Sequence, residues 1–95
     1  MGRAYTVGGE PNWELIPEHM REGVRAYVER GVPTAGFLKA VFSNDLMEAV
    51  GRADATNRRY LHHYAMFFYQ YLPTECYGSP AKVEAWIKQK GLDGK

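Results

Sequence analysis

Apolar residues in this chain recur mostly at helical spacing, and the densest run covers residues 57–72. At 100° per residue Phe67, Tyr60, Tyr71, Tyr64, Phe68, Leu61 and Leu72 gather in one broad arc, and Pro73 ends the run. The pattern predicts a central helix over 57–72, wide enough on its apolar side to pack against several neighbours. Its far side carries Arg58, His62 and Tyr69 on one line and Arg59, His63, Met66 and Gln70 on another. A strand over 65–72 fits less well: Met66, Phe68 and Phe67, Tyr69 make both of its faces apolar, and no turn residues precede it.

The other elements arrange themselves around that helix. Pro17 suits a first helical turn, and Met20, Val24, Tyr27 and Val28 then share one face, opposite Glu18, Glu22, Arg25 and Glu29. Gly31 supplies a left-handed stop, so a helix is predicted over 17–30. Thr34 is placed to cap a short helix through Phe42, buried through Phe37, Leu38, Val41 and Phe42. Ser43, Asn44 and Asp45 prefer caps to helix interiors and predict a break. A helix over 44–53 follows, expected to turn Leu46, Ala49, Val50 and Ala53 inward and to show Asp45, Glu48 and Arg52 outside. Asp54 can cap the central helix.

Near the C-terminus, Ser79 before Pro80 is an N-cap followed by proline at the first helical position. Val83, Trp86 and Ile87 form the buried face of this last helix, Glu84 and Lys88 an i to i+4 pair, and Gly91-Leu92 its stop. Residues 1–15 show no sustained period and contain Gly2, Gly8, Gly9 and Pro11, which predicts a flexible arm pinned at its end by Trp13 and Leu15. The expected fold is all-α: a single helical domain over 16–95, with four to five short helices around the central one. Of the seven tyrosines, Tyr60, Tyr64 and Tyr71 are expected in the core and Tyr69 and Tyr77 outside it.

Composition narrows the function classes more than it names one. With 45% hydrophobic and 24% charged residues, the 95-residue chain reads as one ordinary globular domain. One cysteine, Cys76, excludes an internal disulfide, and the start lacks the plan of a signal peptide. The expected compartment is the reducing cytoplasm, without a membrane span. Net charge is +1, and the basic surplus lies after residue 57, in Arg58, Arg59, Lys82, Lys88 and Lys90 among others. That is too little for a dedicated duplex-DNA binder but enough for a local anion patch.

The run Phe37-Leu38-Lys39-Ala40-Val41-Phe42-Ser43-Asn44-Asp45-Leu46, with Ala53-Asp54 and Asn57 after it, resembles small proteins of phages, prophages and other mobile elements. Ile16-Pro17, Tyr27-Val28-Glu29, Gly78-Ser79 and Trp86 extend the resemblance over about residues 16–92. It implies a setting rather than a chemistry: a small accessory protein that binds host machinery, of anti-CRISPR or other anti-defence type. The motif itself has a structural account, since Asn44, Asp45, Asp54 and Asn57 fall at two helix junctions where polar side chains are needed to cap.

No pattern of catalysis accompanies these elements. His62, His63, His19 and Cys76 are metal ligands by type, but adjacent histidines point about 100° apart on a helix and no i+4 histidine or Cys-x-x-Cys joins them, so neither a metal nor another cofactor is expected. Asp45, Glu48 and Asp54 are the clustered acids, and Arg52 four residues after Glu48 reads as an ion-pair partner. There is no glycine-rich phosphate loop and no nucleophile elbow. The expected function is non-enzymatic: binding a host protein or ribonucleoprotein complex through Arg58, Arg59, His62, His63, Tyr69, Lys82 and Lys88. Two alternatives use the same features. Guanidinium and imidazole groups beside Tyr69 can hold a nucleotide or single-stranded nucleic acid, and aromatic faces can pair between copies in a homo-oligomer.

Overall fold

The computed structural model describes residues 11–34 and 36–94. Its helices are α1 (Glu18–Arg30), α2 (Gly36–Phe42), α3 (Leu46–Arg52), α4 (Ala55–Arg59), α5 (Leu61–Tyr71) and α6 (Pro80–Gln89). Short 3-10 turns occupy Trp13–Leu15, Thr74–Cys76 and Gly91–Gly94. The fold is all-α, with no strand among the described residues. Most of the expected arm, residues 1–10, lies outside the described residues; its end, at Trp13, does pack on α5, with the indole 4.9 Å from the Phe67 ring and the Arg25 guanidinium 4.6 Å from the indole.

The core follows the predicted faces closely. Val24, Tyr27 and Val28 of α1, Phe37, Leu38 and Phe42 of α2, Tyr64, Phe67 and Phe68 of α5, and Val83 and Trp86 of α6 are all buried. Phe42 lies at the centre, stacked on Phe68 with ring centroids 4.5 Å apart and 4.1 Å from the Tyr27 ring. Two buried hydrogen bonds knit distant segments into this cluster. The Tyr27 hydroxyl donates to the Cys76 carbonyl at 2.7 Å, and the Trp86 indole N–H donates to the Tyr27 carbonyl at 3.0 Å. Burial drives the Tyr27 hydroxyl pKa well above its usual value, because a phenolate there would lose its hydration.

Helix ends account for much of the sequence between the apolar runs. Gly31 takes φ 68° and closes α1 by donating to Ala26 and Tyr27. Its backbone meets that of Gly91, also left-handed at φ 66°; a Cβ on Gly91 would stand 2.6 Å from the Gly31 nitrogen. No larger residue fits at this crossing. Asp45 caps α3 by accepting from the Glu48 N–H, Asp54 caps α4 through the Asn57 N–H, and Ser79 caps α6 through the Lys82 N–H.

Several expectations are corrected. The central helix is not continuous over 57–72: it divides at Tyr60, whose N–H is shared between the Thr56 and Asn57 carbonyls, leaving α4 as a short segment before α5. Asn57 is no cap either; its side chain is buried and accepts a 2.7 Å bond from the Tyr64 hydroxyl, whose own pKa burial raises. Asn44 contributes backbone rather than a capping side chain, taking φ 63° to turn the chain between α2 and α3. The left-handed stop of α6 begins one residue early, at Lys90 with φ 68°. Tyr60 and Tyr71 are only half-buried, and Tyr77 is half-buried against Phe68 rather than exposed. Glu84 and Lys88 make no ion pair among the described residues, whereas Glu48 and Arg52 do.

The largest departure concerns α3. Ala49 and Ala53 are buried, but Leu46 is 64% exposed and Val50 36%. The helix meets its neighbours through the small side chains of its apolar face, and close approach there rolls the two larger ones to the rim. Met47, at 79% exposure, stands beside them.

Candidate functional site

The roll of α3 leaves a hollow between α3 and α5 of about 400 Å³. Buried Ala49 and Phe68 form its floor. Half-buried Val41, Leu61 and Tyr77 wall it, and exposed Leu46, His62 and Ala65 stand at its mouth with Asn44 and Asp45. Each position has a local cause. Asp45 is held at the head of α3 by the cap bond to Glu48 N–H at 3.2 Å, and Asn44 by its left-handed turn. Tyr77 is fixed by its ring contact with Phe68 at 5.5 Å and by the following Gly78 N–H, which donates to the Phe42 carbonyl at 2.8 Å. Burial raises the Tyr77 hydroxyl pKa, with Cys76 and Tyr69 adding to it. Met66 and Tyr69 of α5 are also exposed, at 46% and 84%.

The residues singled out from sequence do not form one cluster. His62 and His63 are joined by ring contact at 4.0 Å, and the His63 ring lies 5.2 Å from that of Tyr60. His62 is exposed and lines the hollow, while His63 is half-buried and its Nδ1 is buried without a hydrogen-bond partner. Arg58 and Arg59 are exposed on α4, where the Arg58 guanidinium donates to the Ala53 carbonyl at 3.4 Å. Tyr69 projects from α5. Lys82 and Lys88 belong to α6, which packs chiefly against α2 and the two C-terminal 3-10 turns; the Lys82 ammonium donates to the Thr74 carbonyl at 3.2 Å.

A second polar contact joins α1 to α4. His19 Nε2 lies 3.4 Å from the Asp54 carboxylate, which also accepts the Asn57 N–H at 2.7 Å. That cap bond, opposed in part by desolvation and aided by His19, holds the Asp54 carboxyl below the usual carboxylate range. Among the described residues no three of His, Cys, Asp and Glu converge as metal ligands would, and no helix is long and apolar enough to cross a membrane.

Sequence reasoning passed over Leu46, Met47, Val50 and Ala65 as surface-forming residues, while Met66 lies on the far side of α5 where the sequence put it. The signal was present in Met47, an apolar residue outside the predicted core face, and in the alternation of alanines with larger residues on α3. The chain matches no protein-family model, no curated protein and no solved structure.

Proposed function

We propose that this protein is a non-enzymatic interaction module that holds another protein, or a ribonucleoprotein complex, against the face formed by α3 and α5. The observation that carries this reading is the apolar hollow with exposed Leu46 in its lining, on two helices that also expose Met47, Met66 and Tyr69. Exposed apolar patches of this kind are unfavourable in water and are characteristic of interfaces. His62 and Tyr69 add polar ends to apolar bodies at the rim, a combination suited to a central anchor, and Arg58 and Arg59 add a cationic edge. The resemblance to proteins of phages and mobile elements makes host machinery the partner class, with inhibition by occupation of a surface, as in anti-CRISPR and other anti-defence proteins. The action is steric and needs no cofactor.

The test is a comparative affinity capture from bacterial lysate, with the wild-type protein, a Leu46→Ser/Met47→Gln variant and an Arg58→Ala/Arg59→Ala variant. The expected result is one stoichiometric protein or complex that survives nuclease treatment, is lost with the apolar variant and is reduced with the arginine variant. Capture of nucleotide or nucleic acid alone overturns the reading. Equal capture by the folded apolar variant removes the α3–α5 face.

A further inference from the structure

We infer that the polar groove between α2 and α3 is a binding site for a small zwitterion of α-amino-acid type, its carboxylate set toward Lys39 and its ammonium toward Asp45. The groove has a volume of about 500 Å³ and shares only Asp45 with the hollow between α3 and α5. It is a separate site.

Its walls follow from helical spacing. On α2 and the residue after it, Gly36, Lys39, Ala40 and Ser43 recur at i, i+3, i+4 and i+7, so they share one face, and all four line the groove. From the other side it is lined by Asp45, Glu48 and Arg52, the polar face of α3. The bed on the α2 side is low: Ala40 is buried, and a Cβ built on Gly36 would meet no atom of the described residues within 4 Å. The space suits a molecule of amino-acid size.

Charge decides the occupant. The groove carries two cations, Lys39 and Arg52, and two anions, Asp45 and Glu48. Arg52 and Glu48 form an ion pair, which leaves one charge of each sign. Lys39 is exposed and has no carboxylate partner among the described residues. The Asp45 carboxylate accepts the Glu48 N–H at 3.2 Å and meets no cation among the described residues. A ligand of one sign would find a counter-charge at one of these groups and a like charge at the other, whereas a zwitterion is matched at both. Thr34 adds an unmet hydrogen bond. Expected to cap α2, it lines the groove instead, with its hydroxyl buried and without a partner. A buried hydroxyl left unbonded is costly, and a carboxylate in the groove would give it an acceptor.

The experiment is an amide-shift NMR titration of the whole chain at pH 7 and constant ionic strength. The probe is L-alanine, compared with propionate, which lacks the ammonium, and ethylamine, which lacks the carboxylate. L-alanine is expected to shift the amides of Lys39, Ser43 and Asp45 saturably, with a dissociation constant on the order of 1 mM. Propionate and ethylamine should each bind at least about 10-fold more weakly. Lys39→Gln and Asp45→Asn should each weaken L-alanine about 10-fold. Both positions are exposed, and asparagine caps a helix as well as aspartate, so both variants should keep the fold. The absence of a saturable shift up to about 100 mM overturns the inference. So does propionate or ethylamine binding as tightly as L-alanine, which would make this a site for a simple ion, and so does unchanged binding by both variants. The capture experiment is independent: Leu46→Ser/Met47→Gln leaves the groove lining intact and should bind L-alanine as the wild type does, so the loss of either reading leaves the other standing.

Discussion

The protein has two kinds of helix contact, and they treat apolar surface in opposite ways. Where α1 meets α6, large rings are closed in and tied by hydrogen bonds: Trp86 donates to the Tyr27 carbonyl, and Tyr27 donates to the carbonyl of Cys76. Where α3 meets its neighbours the contact is made by alanines, and Leu46, Met47 and Val50 are left on the outside. The first arrangement leaves no apolar residue with a reason to be exposed. The second leaves several, around a hollow. Stability and availability are therefore allotted to different parts of one small core, and mutations should separate them.

The largest effect is expected at the closed contact. Trp86→Ala removes a buried ring and one of the two donors to the Tyr27 carbonyl, leaving the Gly31 N–H in place, and should cost about 3–5 kcal/mol in chemical denaturation. Next comes the buried polar pair of α4 and α5. Tyr64→Phe keeps the ring but strands the Asn57 side-chain oxygen, for a loss of about 1–3 kcal/mol, while Asn57→Ala/Tyr64→Phe together should lose less than the two single losses added. Additive losses would show that the bond is not coupled.

Raising pH probes the same closed region. Tyr27 and Tyr64 keep their protons in the folded state to higher pH than in the unfolded chain. Their contribution is complete below the ordinary tyrosine pKa of about 10 and is lost as pH rises beyond it, because only the unfolded state then releases protons readily. Thermal midpoints should fall above about pH 10, with less of a fall in Tyr64→Phe. Asp54 has the opposite sign: its carboxyl is lowered, so its cap holds above the ordinary aspartate range and is lost on acidification.

Smaller effects belong to the open region. Asp45→Ala removes the cap of α3 and should cost about 1 kcal/mol. Leu46→Ser and Met47→Gln should change stability by no more than about 0.5 kcal/mol, because both side chains already meet water. Their expected effect is on association instead. A large stability loss at Met47 would mean that the side chain is covered within one chain, and would collapse the distinction between the two regions.

Much of the closed region was legible in the sequence. Gly31, Ser79-Pro80 and the spacing of Val24, Tyr27 and Val28 each have one strongly favoured structural meaning, and each took it. The open region was legible only in part. Helical periodicity puts Leu46, Ala49, Val50 and Ala53 on one face but does not say how far the helix rolls on that face, which is settled by the shape of α2 and α5 beneath it. The break at Tyr60 was hidden for a related reason. Every residue from 57 to 72 tolerates a helix, and the division arises where Asn57 turns inward to meet Tyr64. The site residues fared similarly: His62 and Tyr69 could be placed by their helix lines, whereas the hollow beside His62 depends on how α2, α3 and α5 pack on one another, which periodicity does not state.

The meeting of Gly31 and Gly91 has a consequence for motion. Helix ends ordinarily fray independently on fast timescales, each at little cost. Here the last turn of α1 and the turn after α6 are packed backbone to backbone, with no room for a Cβ at either glycine. The two should open as one cooperative unit, and the Gly31 and Lys90 amides, 59 residues apart in sequence, should exchange deuterium at matched rates.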